Sequence, residues 1–510
     1  MARLLKYSVL PLVIVVFAQI VVSAQQSSQS SLSNDQPSEF VTRTGTSLQL
    51  SGKSFRYSGP NIEWLGLEAY GPHDPQGPRY PTHFEVDDAL DTAKEMGARV
   101  VRSQTLGDSV GCDLCIEPQL GVFNPEAFKA IDYALKAAHD RGIRLIITLA
   151  GDCATCDFGA LGEYTQWTHQ EDLRAFFTDP ATIAAFEGHI SALLTHKNSL
   201  TGIPYKDDPT ILAWENCNMC GLAVVLSPSS HDLTPYLSWT DTIGNFIKSI
   251  DKRHLYLDTT GFFRFDKAAL DAKAPDLVTF EYYPHWDALL GGGAPKTTAE
   301  SFLQDAAATT AHGKAYIVNE FGWDVTDWPT QNDLQTVLHT LEADPNVCGD
   351  DYWALQAHAE NFGWQAIPAN VSDAAYARNG ESGQWWALYY GGINTMINTR
   401  DDMRARAQQL RTHAYAMAGV PLPPHQIPPA PVITTKGLGF IGWRGSAGAV
   451  SYTVQRQVGE SGVWETICDK CANDANSPWP DPKPAGLFGA KYRVIAYNAD
   501  GVPSQPSASR

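Results

Sequence analysis

The sequence predicts a (β/α)8 TIM barrel with a C-terminal β-sandwich domain, and three observations carry that expectation. Between residues 54 and 418 short apolar runs alternate with longer amphipathic ones, giving eight strand-then-helix units, the order of a parallel barrel. Some of the apolar runs turn polar within one step, as strand ends at the C-terminal mouth of a barrel do. After a proline-rich stretch at 421–431 the chain changes to short alternating segments with turn signals, the pattern of an antiparallel β domain.

Taken in order, residues 1–24 have the form of an export signal: Arg3 and Lys6, an apolar run over 9–22, then Val22-Ser23-Ala24 as a small-residue cleavage site. The run is short for a membrane span, and the polar linker 25–37 that follows has little that could form a core. The barrel domain is expected over 38–420. Segments 54–58 and 61–65 supply its first strand, followed by helix 86–96, strand 99–103, helix 125–141 and strand 144–149. Helix 181–196 leads into the strand beginning at Thr210. Helix 235–252 comes next, with Thr234 as N-cap and Pro235 at its first position. Strands 255–260 and 277–283, helix 299–311, strand 315–321, helix 331–342, strand 351–355 and helix 401–418 complete the set. An insertion at 358–399 carries Trp364, Trp385, Trp386, Tyr389 and Tyr390; it suits either the wall of a cleft or a small packed subdomain. Residues 432–510 form the last domain. Its Tyr452-Thr453-Val454 early and Tyr492-Arg493-Val494-Ile495-Ala496-Tyr497 late resemble a fibronectin type III module.

The 510 residues carry a formal net charge of −19, which argues against nucleic acid or an anionic membrane as partner, because phosphates are held by clustered Lys and Arg. A neutral polysaccharide is compatible with that field. No segment beyond the signal is long and apolar enough to cross a bilayer, so a secreted protein, extracellular or periplasmic, is expected, and a monomer. Eight of nine cysteines fall into four Cys-x-x-Cys pairs: Cys112/Cys115, Cys153/Cys156, Cys217/Cys220 and Cys468/Cys471, with Cys348 left over. In an exported chain these suit disulfides, within or between pairs; two such pairs could instead offer four thiolates to a metal.

The chemistry-bearing residues lie at strand ends. Glu320 ends the run Tyr316-Ile317-Val318-Asn319, and a carboxylate there is costly to bury without a task. Glu281 and Tyr283 share parity on 277–283 and so point to one side of that strand. Arg102 ends 99–102 and Trp353 sits in the last strand. A carboxylate, a phenol, an arginine and a tryptophan at one mouth suit glycosidic cleavage: the carboxylate attacks the anomeric carbon, Arg and Tyr hold it ionised, and Trp packs on the sugar.

Three stretches carry a family resemblance: Lys206-Asp207-Asp208-Pro209-Thr210-Ile211-Leu212-Ala213-Trp214-Glu215, Met96-Gly97-Ala98-Arg99-Val100-Val101-Arg102 and Val318-Asn319-Glu320-Phe321-Gly322. In order, over about residues 55–353, they resemble the β-mannanase branch of glycoside hydrolase family 5. The resemblance implies a retaining mechanism on β-linked polysaccharide, above all β-1,4-mannan, with no metal and no cofactor. By motif match Glu320 is the nucleophile, Arg102 and Tyr283 support it, Asn218 contacts the sugar 2-hydroxyl and Trp353 is the stacking platform. The sequence departs from the pattern at one decisive point. The position of the general acid/base holds Met219, and a thioether has no proton to give. The family's His-x-Tyr reads Glu281-Tyr282-Tyr283, so one position loses a carboxyl and a neighbouring one gains it. Glu281 is the candidate relocated acid/base; Glu215 or a loop carboxylate are other donors. A carbohydrate-binding protein without hydrolysis and a metal-dependent glycan-modifying enzyme are the alternative functions.

Overall fold

A computed structural model describes residues 36–68, 78–151, 161–220, 234–259, 270–287, 296–361, 363–364, 386–395, 397–437, 439–459, 462–474, 478–482 and 490–510. The expected export signal, nearly all of the polar linker, Cys153, Cys156, Trp385 and half of the 358–399 insertion lie outside the described residues.

An antiparallel ribbon opens the described chain: β1 (Thr42–Thr44), β2 (Ser47–Leu50) and β3 (Lys53–Ser54). The barrel strands follow: β4 (Tyr57–Pro60), β5 (Val100–Ser103), β6 (Arg144–Thr148), β7 (Ile211–Glu215), β8 (Leu255–Asp258), the broken pair β9 (Leu277–Val278) and β10 (Glu281–Tyr282), β11 (Ala315–Gly322) and β12 (Val347–Trp353). All ladders between them are parallel, in the order β4-β12-β11-β9-β8-β7-β6-β5 with β10 on β11. A bridge between Asn61 and Arg102 closes the ring from β4 to β5. This is the expected TIM barrel. The single strand expected at 277–283 is two short pieces, and the eighth begins four residues earlier than its apolar run suggests, because Asp350 and Asp351 are buried polar members of it.

Between the strands run α1 (His83–Glu95), α2 (Pro125–Arg141), α3 (Leu161–Trp167), α4 (Ala175–Thr178), α5 (Pro180–Thr195), α6 (Thr234–Ile250), α7 (Pro284–Asp287), α8 (Ala299–Ala311), α9 (Gln331–Ala343) and α10 (Arg400–Met417). Local chemistry sets their ends. Thr82 and Glu85 form a capping box at the start of α1. Asn124 caps α2 ahead of Pro125, and Gly142 ends it at φ 75°, a left-handed stop that favours glycine. Thr234, expected as a cap, is the first residue of α6.

Two cores organise the barrel. Inside it, Tyr57, Val100, Ile146, Leu212, Ala213, Leu257, Leu277 and Ile317 fill the end where strands begin, plugged by Val41, Leu48 and Phe55 of the ribbon region. Outside it, alternate residues such as Val101, Leu145, Ile147, Trp214, Val318 and Phe321 pack under the helices. Trp364, Trp386, Tyr389 and Tyr390 join this outer core, so the described part of the insertion is packed.

β13 (Val432–Gly437), β14 (Phe440–Arg444) and β17 (Trp479–Pro480) form one antiparallel sheet, and β15 (Ser451–Val458), β16 (Glu465–Ala472) and β18 (Ala490–Tyr497) another. Ile441, Trp443, Tyr452, Val454, Cys468, Tyr492 and Val494 give the two sheets one shared core, the arrangement of a β-sandwich. The sandwich is tied to the barrel through His358, whose ring is 1% exposed: Nδ1 meets Asp88 of α1 at 2.9 Å and Nε2 meets Asp474 at 3.1 Å. Arg444 pairs with Glu360, and Arg404 Nη2 donates to the carbonyl of Val450 at 2.8 Å.

Candidate active site

Strand alternation puts Arg102 on the same inward side of β5 as Val100, one layer nearer the mouth. A guanidinium has five N–H donors, and here each has an acceptor. Nε and Nη2 clamp Glu215, both at 2.7 Å, and Nη2 also donates to Asn218 Oδ1 at 2.7 Å. Nη1 donates to Asn61 Oδ1 at 2.9 Å and to Glu320 Oε2 at 2.8 Å. Burial would lower the arginine's pKa, but the carboxylates of Glu215, Glu320 and Glu281 outweigh it and raise the value. The group is a fixed cation at the centre of three carboxyls.

Glu215 lies below the mouth at 0% exposure. Besides the two arginine bonds it accepts from Thr148 Oγ1 at 2.7 Å and Asn319 Nδ2 at 3.2 Å. With four donors on it, this carboxylate is an anchor for Arg102 and is not placed to give a proton to a ligand. Asn61, Thr148 and Asn319 complete the network and were not singled out by sequence. They are ordinary polar residues at strand ends, and only their inward parity marks them.

Glu320 occupies a stretch of β11 whose ladder with β12 is irregular between Val318 and Phe321. Its Oε1 accepts from Tyr283 Oη at 2.5 Å, and its Oε2 from Arg102. Burial raises the Glu320 pKa, while Arg102 and Tyr283 pull it back down. Tyr283 itself is pushed well above the usual phenol range, first by burial and then by Glu320 and Glu281, so it stays a donor. Glu281 is the register partner of Glu320 on the neighbouring strand β10, and it is 4% exposed. Parallel strands lie about 4.8 Å apart and neighbours in register share a face, so the two carboxyls start side by side. Trp386, from the packed insertion, stacks at a tilt on Tyr283 with centroids 4.7 Å apart and donates Nε1 to Asp327 at 2.5 Å.

Asn218 follows β7 and is held by its backbone N–H on the Ala150 carbonyl at 2.7 Å. Because its Oδ1 faces Arg102, its NH2 is the end left to meet a ligand. Met219 comes next, half-buried, with a left-handed φ of 53° that a side chain of its type rarely adopts. A disulfide joins Cys217 to Cys220 across it. Trp353 ends β12 beside Gly322, 7% exposed and followed by a cis peptide. Cys112–Cys115 and Cys468–Cys471 are disulfides too, each within its own pair. Among the described residues no group of three or more His, Cys, Asp or Glu could hold a metal ion.

With this geometry in view, the comparisons with known proteins are specific. Residues 38–264 match the family model described as GH family 5 beta-mannosidase-like. Over that span the chain is similar to glycoside hydrolase family 5 domains of the beta-mannosidase-like type. Among curated relatives, mannan endo-1,4-beta-mannosidase 2 of Oryza sativa subsp. japonica is 35% identical over 233 residues, 44% of this chain and 48% of that one. Mannan endo-1,4-beta-mannosidase 2 of Arabidopsis thaliana is 34% identical over 224 residues, 42% and 47%. The chain thus spans about half the length of the curated relatives it matches. Among solved structures, the endo-1,4-beta-mannanase from Rhizomucor miehei has a TM-score of 0.56 at 25% identity, covering 75% of this chain and all of that one. The endo-beta-1,4-mannanase from Thermotoga petrophila, at 18% identity and a TM-score of 0.55, shares the fold over 90% of this chain. The matched span 38–264 takes in the ribbon and the barrel strands β4 to β8.

Proposed function

We propose that the protein is a secreted retaining glycosidase acting on β-1,4-mannan, in which Glu320 is the nucleophile and Glu281 takes the acid/base role that Met219 cannot fill. The observation that carries this is the register pair Glu281–Glu320, which puts a second carboxyl one strand spacing from the first. Three carboxyls lie within electrostatic reach of the one guanidinium. Glu215 is committed to Arg102, and Glu320 accepts from Arg102 and Tyr283 in the manner of an ionised group. The proposed mechanism starts with Glu281 as the protonated acid of the pair. In the first step Glu320 attacks the anomeric carbon while Glu281 protonates the leaving oxygen; in the second Glu281 takes a proton from the water that releases the sugar. Asn218 meets the 2-hydroxyl and Trp353 packs on the ring. Glu281 stands beside Glu320 on the same wall of the barrel, so the leaving oxygen must lie along that wall.

Reducing-sugar release from mannan, glucomannan and cellulose, with Glu320→Ala as control, tests the reading. Release from mannan above the other two, lost in the variant, supports it. Saturable mannan binding with no release by the wild-type chain would replace it with a carbohydrate-binding role, the outcome that Met219 favours.

A further inference from the structure

A second cavity, of about 800 Å³, opens at the opposite end of the barrel, where strands begin. The ribbon, the ends of α1 and α2, and the segment from Tyr415 to Pro424 enclose it. Five basic residues line it: Lys53, Lys94, Arg99, Arg141 and Arg144, against two acidic ones, Glu39 and Glu95. Arg141 is already paired with Asp87 and Asp91, and Glu95 with Arg411 and His425. What is left is Lys53, Lys94, Arg99 and Arg144 facing Glu39 alone, in a chain whose net charge is −19. Among the described residues none of these four forms an ion pair.

Arg99 and Arg144 are the unusual members. They stand at the starts of neighbouring strands, with the Arg144 N–H on the Arg99 carbonyl at 2.9 Å. Their guanidinium carbons lie 4.2 and 5.6 Å from the centre of the Phe55 ring, which gives both cations an aromatic face. Their polar partners are backbone carbonyls: Arg99 Nη1 on Arg56 at 2.9 Å, Arg144 Nη2 on Glu39 at 3.1 Å. Arg144 is 6% exposed, and its Nε has no acceptor in the protein. Burial pushes both guanidinium groups down to about 10, and for Arg144 the nearby Arg99 adds to the effect. A buried and a half-buried cation side by side, with only Glu39 as a nearby acid, are costly, and a planar pair of N–H forks suits an oxyanion above other ligands. The helix ends around the cavity are carbonyl ends, so attraction for an anion comes from the side chains alone.

We infer that this cavity is an oxyanion-binding site, taking the phosphate or carboxylate of a small molecule between Arg99 and Arg144 with Lys94 and Lys53 at the rim. It lies at the far end of the barrel from Glu320, and the inference does not depend on what the mouth of the barrel does.

Titration calorimetry of the full chain, at constant ionic strength, with inorganic phosphate and separately with D-glucuronate tests it. Saturable binding of one probe is expected, weakened about tenfold or more in Arg144→Gln through loss of a charge-assisted contact. Tighter phosphate assigns a phosphorylated ligand, and tighter glucuronate a sugar acid or similar carboxylate. Lys94→Gln, at a half-buried rim position, is the second variant should Arg144→Gln fail to fold, and a weakening of about threefold or more is expected there. Absence of saturation with both probes, or equal affinity in a folded variant and wild type, would overturn the site and leave the two arginines as braces on the backbone carbonyls of Arg56 and Glu39.

Discussion

Glu281→Ala is the most informative perturbation, because it separates the two jobs a carboxyl could have at this position. As general acid on a poor leaving group, Glu281 should supply a factor of about 10²–10⁴, or about 3–5 kcal/mol of barrel-mouth catalysis at 1.36 kcal/mol per decade. As register partner of Glu320 it also holds a carboxyl near the nucleophile. Its removal leaves Arg102 and Tyr283 with one fewer acidic neighbour. The variant should therefore lose about 10²-fold or more in kcat/KM on a mannooligosaccharide. On a dinitrophenyl mannoside, whose leaving group needs no proton, it should retain activity to within about tenfold. The assay is kcat/KM on both substrates across pH, for wild type, Glu281→Ala and Met219→Glu. Equal loss on the two substrates would refute the relocation, since a missing acid cannot slow a step that uses none. So would a large gain on mannan in Met219→Glu alone, which would mean that the wild-type site lacks a donor.

Three further outcomes are expected. Arg102→Lys offers a point charge with three donors where five are in use, so it leaves Glu215 or Glu320 under-paired; a loss of about 3–5 kcal/mol in urea unfolding is expected, with kcat falling as well. Glu320 must be ionised to attack, and burial raises its pKa, so activity should be lost as pH falls through a point above the usual carboxylate value of 4.5; an acid limb below that value would contradict the placement. His358 is lowered by burial but raised overall to about 10 by Asp88 and Asp474, so its contribution is fully present below its usual 6.5 and is lost as pH rises through about 10. The gap in melting temperature between wild type and His358→Gln should accordingly be widest at about pH 6.5 and close toward pH 10.

The barrel was legible because its signal is repeated: each strand is a short buried run, and one misjudged boundary leaves the other seven in place. Boundaries failed where polar residues are buried inside strands, as with Asp350 and Asp351, whose partners Tyr57 and His413 come from elements distant in sequence. At the mouth, parity alone brought Glu281 and Tyr283 to one face, and Tyr283 is indeed on Glu320. The anchors Asn61, Thr148 and Asn319 were not legible, because an amide or hydroxyl at a strand end carries no local mark. Only the closed ring brings Arg102 within reach of Glu215, more than a hundred positions later. Arg99 and Arg144 at the other end were equally silent: as strand starters they resemble any surface residue until the ribbon packs over them.

The substitution at Met219 and the acquisition of Glu281 make most sense as one change viewed from Arg102. A fixed guanidinium with five bonds sets how many carboxyls its surroundings hold. On the proposed mechanism an acid on β10 stands in for one after β7, next to a Glu320 that accepts from Tyr283. A left-handed residue braced between two bonded cysteines is a position fixed by conformation, which fits a wall. An acid/base must meet the leaving oxygen in one step and a water in the next, and on β10 that group has the neighbour it works with in register beside it.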